Sequence, residues 1–154
     1  MGLCGNNAQA CCSGNACIAP STACLSSATS TCRTPLPAQC ACGVLYQGTD
    51  LQTGQTVQSC DNRFSLSLAN GNLTLTYVGT TLWSSGTVGS GATYGTMQDD
   101  GDFVLYAEDG GAAQWASGTP SLGCGAYLDL QNDGNLVLYD SSQNARWSTG
   151  TCCH

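Results

Sequence analysis

The sequence predicts an all-β domain preceded by a small disulfide-rich segment, and three observations carry that prediction. From residue 44 onward, short runs of Val, Leu, Thr and Tyr alternate with Gly, Asn, Asp and Ser. No run of twelve residues has helical periodicity, so strands joined by turns are expected. A second observation is repetition: Trp83, Trp115 and Trp147 lie 32 residues apart both times, each opening a similar segment (Trp83-Ser84-Ser85-Gly86-Thr87, Trp115-Ala116-Ser117-Gly118-Thr119, Trp147-Ser148-Thr149-Gly150-Thr151). Self-similarity at such a period means units that pack on one another. Third, the chain holds 12 Cys and only 3 basic residues, all Arg. Cysteine usage of this kind belongs to disulfides and an oxidising, extracellular compartment.

Residues 1–42 contain eight of the cysteines, at 4, 11, 12, 17, 24, 32, 40 and 42, set among Gly, Ala, Ser, Thr, Asn and Pro without one aromatic residue. Such a segment has too little apolar surface for a core and must be held by cross-links. Spacing alone does not choose among the 105 possible pairings of eight cysteines. A chitin-binding unit would need exposed aromatic rings, which this segment lacks. The loop from Cys32 to Cys40 has the length of a Bowman–Birk inhibitory loop, but Arg33 follows Cys32 directly and the register is wrong. A stapled cap or an assembly surface is the expected role. We divide the chain at this point, into a Cys-rich segment over residues 1–42 and a β domain over residues 43–154.

Val44-Leu45-Tyr46 begins the alternating region, and Leu51-Gln52-Thr53-Gly54-Gln55-Thr56-Val57 reads as an entering strand with a turn at Thr53-Gly54. Phe64, Leu66 and Leu68 alternate, as do Leu73 and Leu75, around Asn70-Gly71-Asn72. The same strand–bend–strand arrangement recurs around Gly101 and Gly134, where glycine lets the chain bend without a Cβ penalty. An aromatic precedes each bend by a similar distance: Phe64, Tyr94 and Tyr127. One Trp per repeat is what a threefold core needs along its axis. Cys60 and Cys124 precede the first and third repeats. They either meet each other through the pseudo-symmetry or tie the amino-terminal segment to the β domain. Cys152-Cys153 either staples a strand or links to another subunit.

The stretch Gln131-Asn132-Asp133-Gly134-Asn135-Leu136-Val137-Leu138-Tyr139 is the most informative in the chain. With a period of two it puts Gln131, Asp133, Asn135, Val137 and Tyr139 on one strand face and Leu136 and Leu138 on the other. The first face offers donors and acceptors about 7 Å apart, a spacing suited to adjacent hydroxyls of a sugar ring, with Val137 beneath its C–H surface. Gln98, Asp100, Val104 and Tyr106 repeat the pattern with Asp102 in place of Asn. A third copy, Leu68 to Thr76, keeps only Asn72, which also heads an Asn72-Leu73-Thr74 sequon for N-glycosylation.

The pattern Gln-x-Asp-x-Asn-x-Val-x-Tyr resembles the mannose site of the monocot bulb-type, snowdrop-agglutinin-like lectins. That resemblance covers roughly residues 44–151. It implies a β-prism II fold of three pseudo-symmetric antiparallel sheets. It also implies one full site (Gln131, Asp133, Asn135, Val137, Tyr139), one altered site (Gln98, Asp100, Asp102, Val104, Tyr106) and one degenerate site that does not bind. Asp133 and Asn135 would read the axial O2 of mannose together. The family commonly forms dimers, so a secreted homo-oligomer that binds mannose-containing glycans is expected.

Other functions fare worse. All ten carboxylates lie in residues 44–154 against Arg63 and Arg146, for a net charge of −7 over the chain, and such a surface repels phosphate, so no nucleic-acid partner is expected. No apolar run approaches the ~20 residues of a spanning helix, and no signal peptide is evident, which suggests a mature form. The single His is His154, so a Ser–His–Asp set has no basis, and Asp100 and Asp102 on one strand face do not suit a glycosidase pair. Asp99-Asp100-Gly101-Asp102 lacks the spacing of a calcium loop. No metal and no cofactor is expected. The competing non-enzymatic reading is a disulfide-linked assembly protein built on the same prism.

Overall fold

The structure, a computed structural model, describes residues 3–4, 9–10, 42–108 and 111–154. The cross-links expected within residues 1–41 lie outside the described residues. Among the described residues of the amino-terminal segment, strands β1 (Leu3–Cys4) and β2 (Gln9–Ala10) pair antiparallel. The rest is β structure in three four-stranded antiparallel sheets, as the all-β expectation required.

Each repeat supplies three consecutive strands to one sheet. The first repeat gives β6 (Phe64–Ala69), β7 (Asn72–Tyr77) and β8 (Thr80–Ser84). Next come β9 (Ala92–Met97), β10 (Phe103–Ala107) and β11 (Ala113–Ala116). The third gives β12 (Tyr127–Leu130), β13 (Leu136–Tyr139) and β14 (Ala145–Ser148). The fourth strand of every sheet comes from the entering segment: β3 (Val44–Tyr46) pairs with β12, β4 (Asp50–Gln52) with β9, and β5 (Thr56–Gln58) with β6. The stretch expected as one entering strand therefore divides at Thr53-Gly54 between two sheets. Three short strands in fifteen residues lace all three sheets together.

Alternation decides what each sheet buries. Phe64, Leu66, Leu68, Leu73 and Leu75 of the first sheet are fully buried, with Leu51, Met97, Phe103 and Leu105 of the second and Leu45, Leu128, Leu130, Leu136 and Leu138 of the third. At one side of this core Trp83, Trp115 and Trp147 meet in a closed triangle, with ring centroids 5.6–5.7 Å apart and planes crossed by 71–78°. Edge-to-face contacts at this distance are the favoured geometry for aromatic pairs. The axial role expected for the three tryptophans is the one they have.

The first repeat departs from the sequence alignment by one residue. Its hairpin turns on Asn70 and Gly71, both at positive φ (50° and 75°), with Ala69 opposite Asn72. In the other repeats three residues intervene: the Gln98 amide donates to the Asp102 carbonyl (2.8 Å) and that of Gln131 to Asn135 (2.9 Å). Leu68, aligned by sequence with Gln98 and Gln131, therefore faces the core, and so does Phe64. Tyr94 and Tyr127 lie instead on outer faces, cross-strand from Tyr106 and Tyr139. A slip of one residue in a strand exchanges its two faces.

The bend glycines lock each sheet to a neighbour. A Cβ on Gly134 would lie 2.5 Å from the Phe64 ring, one on Gly101 2.5 Å from the Leu122 Cβ, and one on Gly71 2.8 Å from the Ser90 Oγ. Gly134→Ala combines that collision with a φ of +90°. It should lose ~1–2 kcal/mol for the left-handed backbone and ~1–3 kcal/mol for overpacking. Gly118→Ala, at φ +73° with nothing within 4 Å, should lose only the backbone part. Urea midpoints of the two variants check the difference.

Candidate functional site

The third repeat assembles its motif on a turn and a strand rather than on one strand face. Only Leu136–Tyr139 is strand, and residues 131–135 form the bend before it. The Gln131 side chain nevertheless reaches Tyr139, donating Nε2–H to the phenolic oxygen at 2.7 Å. That leaves the Tyr139 hydrogen free to be donated elsewhere. Asp133 accepts the Asn135 amide on Oδ1 (2.9 Å), closing an Asx turn. Val137 is only 3% exposed, tucked into the outer face of the sheet. It does not stand out from the sheet.

Asn135 carries two duties. Its Oδ1 accepts from the Thr151 amide (3.2 Å) and the Thr149 hydroxyl (3.2 Å). Because a backbone N–H faces it, this atom must be the oxygen. The Nδ2 group is left as a donor. The Trp147-Ser148-Thr149-Gly150-Thr151 echo thus acquires a purpose: its hydroxyls hold the motif Asn, and Thr151 also donates to the Gly134 carbonyl (2.7 Å).

The second repeat is built the same way. Gln98 donates to Tyr106 (2.8 Å), Asp100 accepts the Asp102 amide (3.0 Å), and Val104 is 3% exposed. Asp102 takes the place of Asn135, with Oδ1 accepting from Ser117 Oγ (2.7 Å) and the Thr119 amide (3.1 Å). Its other atom is an oxygen, so this position presents an acceptor where Asn135 presents a donor. In the first repeat Asn72 likewise accepts from Thr87 N (3.0 Å) and Ser85 Oγ (3.1 Å). Asn72 is only 9% exposed. Both bonds engage the side-chain oxygen and leave the sequon's Nδ2 outside this network.

Several residues around these bends carry no motif signal. Asp129, cross-strand from both Val44 and Val137, sits on the outer face behind Gln131. Burial pushes its carboxyl above the ordinary range, with the Asp133 charge adding to the rise and a hydrogen bond from Gln131 opposing it. Burial, then Asp129, likewise raises the Tyr127 phenol. Gln47 pins the second bend, donating to the Gln98 (3.1 Å) and Asp99 (3.2 Å) carbonyls while accepting from Gly125 N. Arg63 clamps the third, donating to the Asn132 carbonyl (2.6 Å), the His154 carbonyl (3.0 Å) and Asp61 (2.6 Å). Gln47 and Arg63 reach these bends only through contacts across 50 residues or more.

Cys60 bonds Cys42, so the amino-terminal segment is tied to the β domain there. Cys124 is also disulfide-bonded. Cys60 and Cys124 are therefore not partners of each other. Among the described residues no three His, Cys, Asp or Glu side chains come together as a metal site, and no helix is long and apolar enough to cross a membrane.

The chain is similar to known carbohydrate-binding proteins. No family model matches it. A mannose-specific lectin of Galanthus nivalis is 38% identical over 66 residues, 43% of this chain and 41% of that protein. The chain thus spans less than half the length of that relative. A mannose-specific lectin of Narcissus pseudonarcissus is 32% identical over 107 residues, which is 51% of this chain and 96% of the relative. Among solved structures, the monomeric monocot mannose-binding lectins of Gastrodia elata superpose with a TM-score of 0.64 at 37% identity, covering 71% of this chain and 98% of theirs.

Arg63 gives the site a test that needs no ligand. Arg63→Ala should lower the thermal midpoint and speed amide exchange at Asn132 and Asp133. Acid should act in the same direction. Burial nudges Asp61 upward, but hydrogen bonds from Ser59 and Arg63 hold its carboxyl below the ordinary range. A carboxyl lowered in the folded state contributes stability above its unfolded pKa, and that contribution is lost as pH falls through the folded value. Exchange rates measured down through the acidic range on wild type and Arg63→Ala should converge.

Proposed function

Because the chain belongs to the bulb-type mannose-specific lectin family, we propose that it is a non-enzymatic carbohydrate-binding protein that recognises mannose through its third repeat. One observation carries the reading. Asp133 offers an acceptor and Asn135 a donor two residues apart in one bend, both oriented by bonds to the surrounding chain. A sugar hydroxyl both donates and accepts, so this pair satisfies it completely. Gln131 and Tyr139, joined at 2.7 Å, supply a second polar pair. Val137 supports the carbon face of the ring from below.

The second repeat is an altered site on this reading. Asp100 and Asp102 present two acceptors to a hydroxyl that has one proton. The first repeat lacks both the Asp and the Gln–Tyr pair, with Asn70 and Thr76 among the residues in their stead, and we read it as non-binding. The sites are shallow, and a single one should be near millimolar, about −4 kcal/mol. Useful avidity would then require several sites on one assembly. An extracellular setting and a homo-oligomer fit that need and the cysteine usage. The rival reading is assembly through disulfides without sugar binding, which the exposed Cys152 and Cys153 favour.

A glycan array on the intact protein tests the proposal: retention on mannose-terminated glycans supports it. Size loss in reductant with no sugar retention supports the rival. At residue level, Asn135→Asp keeps the loop's acceptor and removes only the donor. It should weaken third-site binding by ~1–3 kcal/mol without moving the thermal midpoint. Asn135→Ala would also unfasten Thr149 and Thr151, so its loss would be harder to assign. Asp102→Asn is the reciprocal change, and calorimetry should find a higher affinity, or a second site where wild type has one. If Asn135→Asp binds mannose like wild type, the assignment of the third repeat fails.

A further inference from the structure

The last residues of the chain fold back over the third bend. Thr151 fastens Asn135 and Gly134. Cys153 donates its amide to the Asp133 carbonyl at 2.7 Å, and His154 donates to the same oxygen at 3.3 Å. Arg63 then joins the His154 carbonyl to the carbonyl of Asn132. Holding this path places Cys153 at φ +80°, a conformation uncommon for any side chain but glycine.

That backbone brings two adjacent thiols together. Consecutive Cα atoms are about 3.8 Å apart, closer than the ~4.4–6.8 Å usual across a disulfide, so neighbouring cysteines in an extended chain cannot pair. Here the left-handed Cys153 puts its sulfur 2.7 Å from that of Cys152, well inside van der Waals contact, and both are exposed to an oxidant. The Cys152 thiol beside it holds the Cys153 thiol above its ordinary range. Counting agrees. With Cys42 joined to Cys60 and Cys124 bonded, the other cysteines upstream need no partner from the tail to be even in number.

We propose that Cys152 and Cys153 form a vicinal disulfide that clasps the tail onto the Gln131–Asn135 bend. In the step, one tail thiolate attacks a disulfide-class oxidant to give a mixed disulfide, and the second thiol displaces it. The two tail sulfurs gain the S–S bond, losing two protons and two electrons, and the oxidant leaves as two thiols. The ring fixes the left-handed turn that presents the Cys153 and His154 amides to Asp133. This modification does not depend on sugar binding.

Trypsin cleaves after Arg146 and releases a peptide that starts at Trp147 and contains both cysteines. Alkylated and digested without reductant, that peptide should weigh two hydrogens less than the dithiol and carry no alkyl group, joined to no other peptide. Two alkylated thiols, or a tail peptide linked to another part of the chain or to a second copy, would overturn the bridge. The clasp has its own readout in Cys152→Ser/Cys153→Ser, with the remaining disulfides intact. Amide exchange over residues 131–135 should rise several-fold while residues 98–102 stay unchanged. Equal exchange in the variant and wild type would overturn the clasp.

Discussion

Three indole rings, each presenting its edge to the next, hold this molecule about one axis. Trp83, Trp115 and Trp147 close their triangle at 5.6–5.7 Å, and closure is possible only if three sheets are present in equivalent orientations. No single sheet could bury its inner leucines alone, since a lone sheet leaves one apolar face in water. The repeats are therefore interdependent: each finishes the core of the other two. The 32-residue period is the sequence trace of that requirement.

The same interdependence governs the bends that carry polar chemistry. Each bend glycine lies against another part of the prism, at Phe64, Leu122 or Ser90. Side chains from elsewhere then fasten the bends, Gln47 for the second and Arg63 for the third. The entering strands β3, β4 and β5 give one edge to each sheet, so the segment just after Cys42 binds all three repeats together. The Cys42–Cys60 bridge spans that segment from end to end. Rigid placement of short polar side chains is what a shallow site on a sheet needs, because it has no deep cavity to enforce orientation.

The difference between the repeats then reduces to single atoms. The three motif positions Asn72, Asp102 and Asn135 all turn an oxygen toward the hydroxyl and amide of the following Ser/Thr-Gly-Thr loop. That shared bond is structural and tolerates either Asn or Asp. Only the second atom of the side chain distinguishes the repeats, as a nitrogen with hydrogens in Asn135 or a bare oxygen in Asp102. A change that leaves the fold indifferent therefore alters the polarity of the surface beside it.

Much of this was legible in the sequence. Alternation around Leu66, Leu73, Leu128 and Leu138 marked the core faces, and the Trp spacing marked three units, because burial leaves a periodic trace in one dimension. The motif residues of the second and third repeats were identifiable because their contacts fall within one hairpin, as between Gln131 and Tyr139. What lay outside its reach was decided by contacts remote in the chain or by turn length. The one-residue shorter bend at Asn70-Gly71 moved Leu68 and Phe64 to the core, and the loop hydrogen bonds fastened the Asn72 oxygen. Gln47 and Arg63 gained their roles from neighbours brought close only by folding. Local patterns record which side of a strand is dry; the tertiary structure alone decides which distant carbonyl, ring or thiol stands opposite.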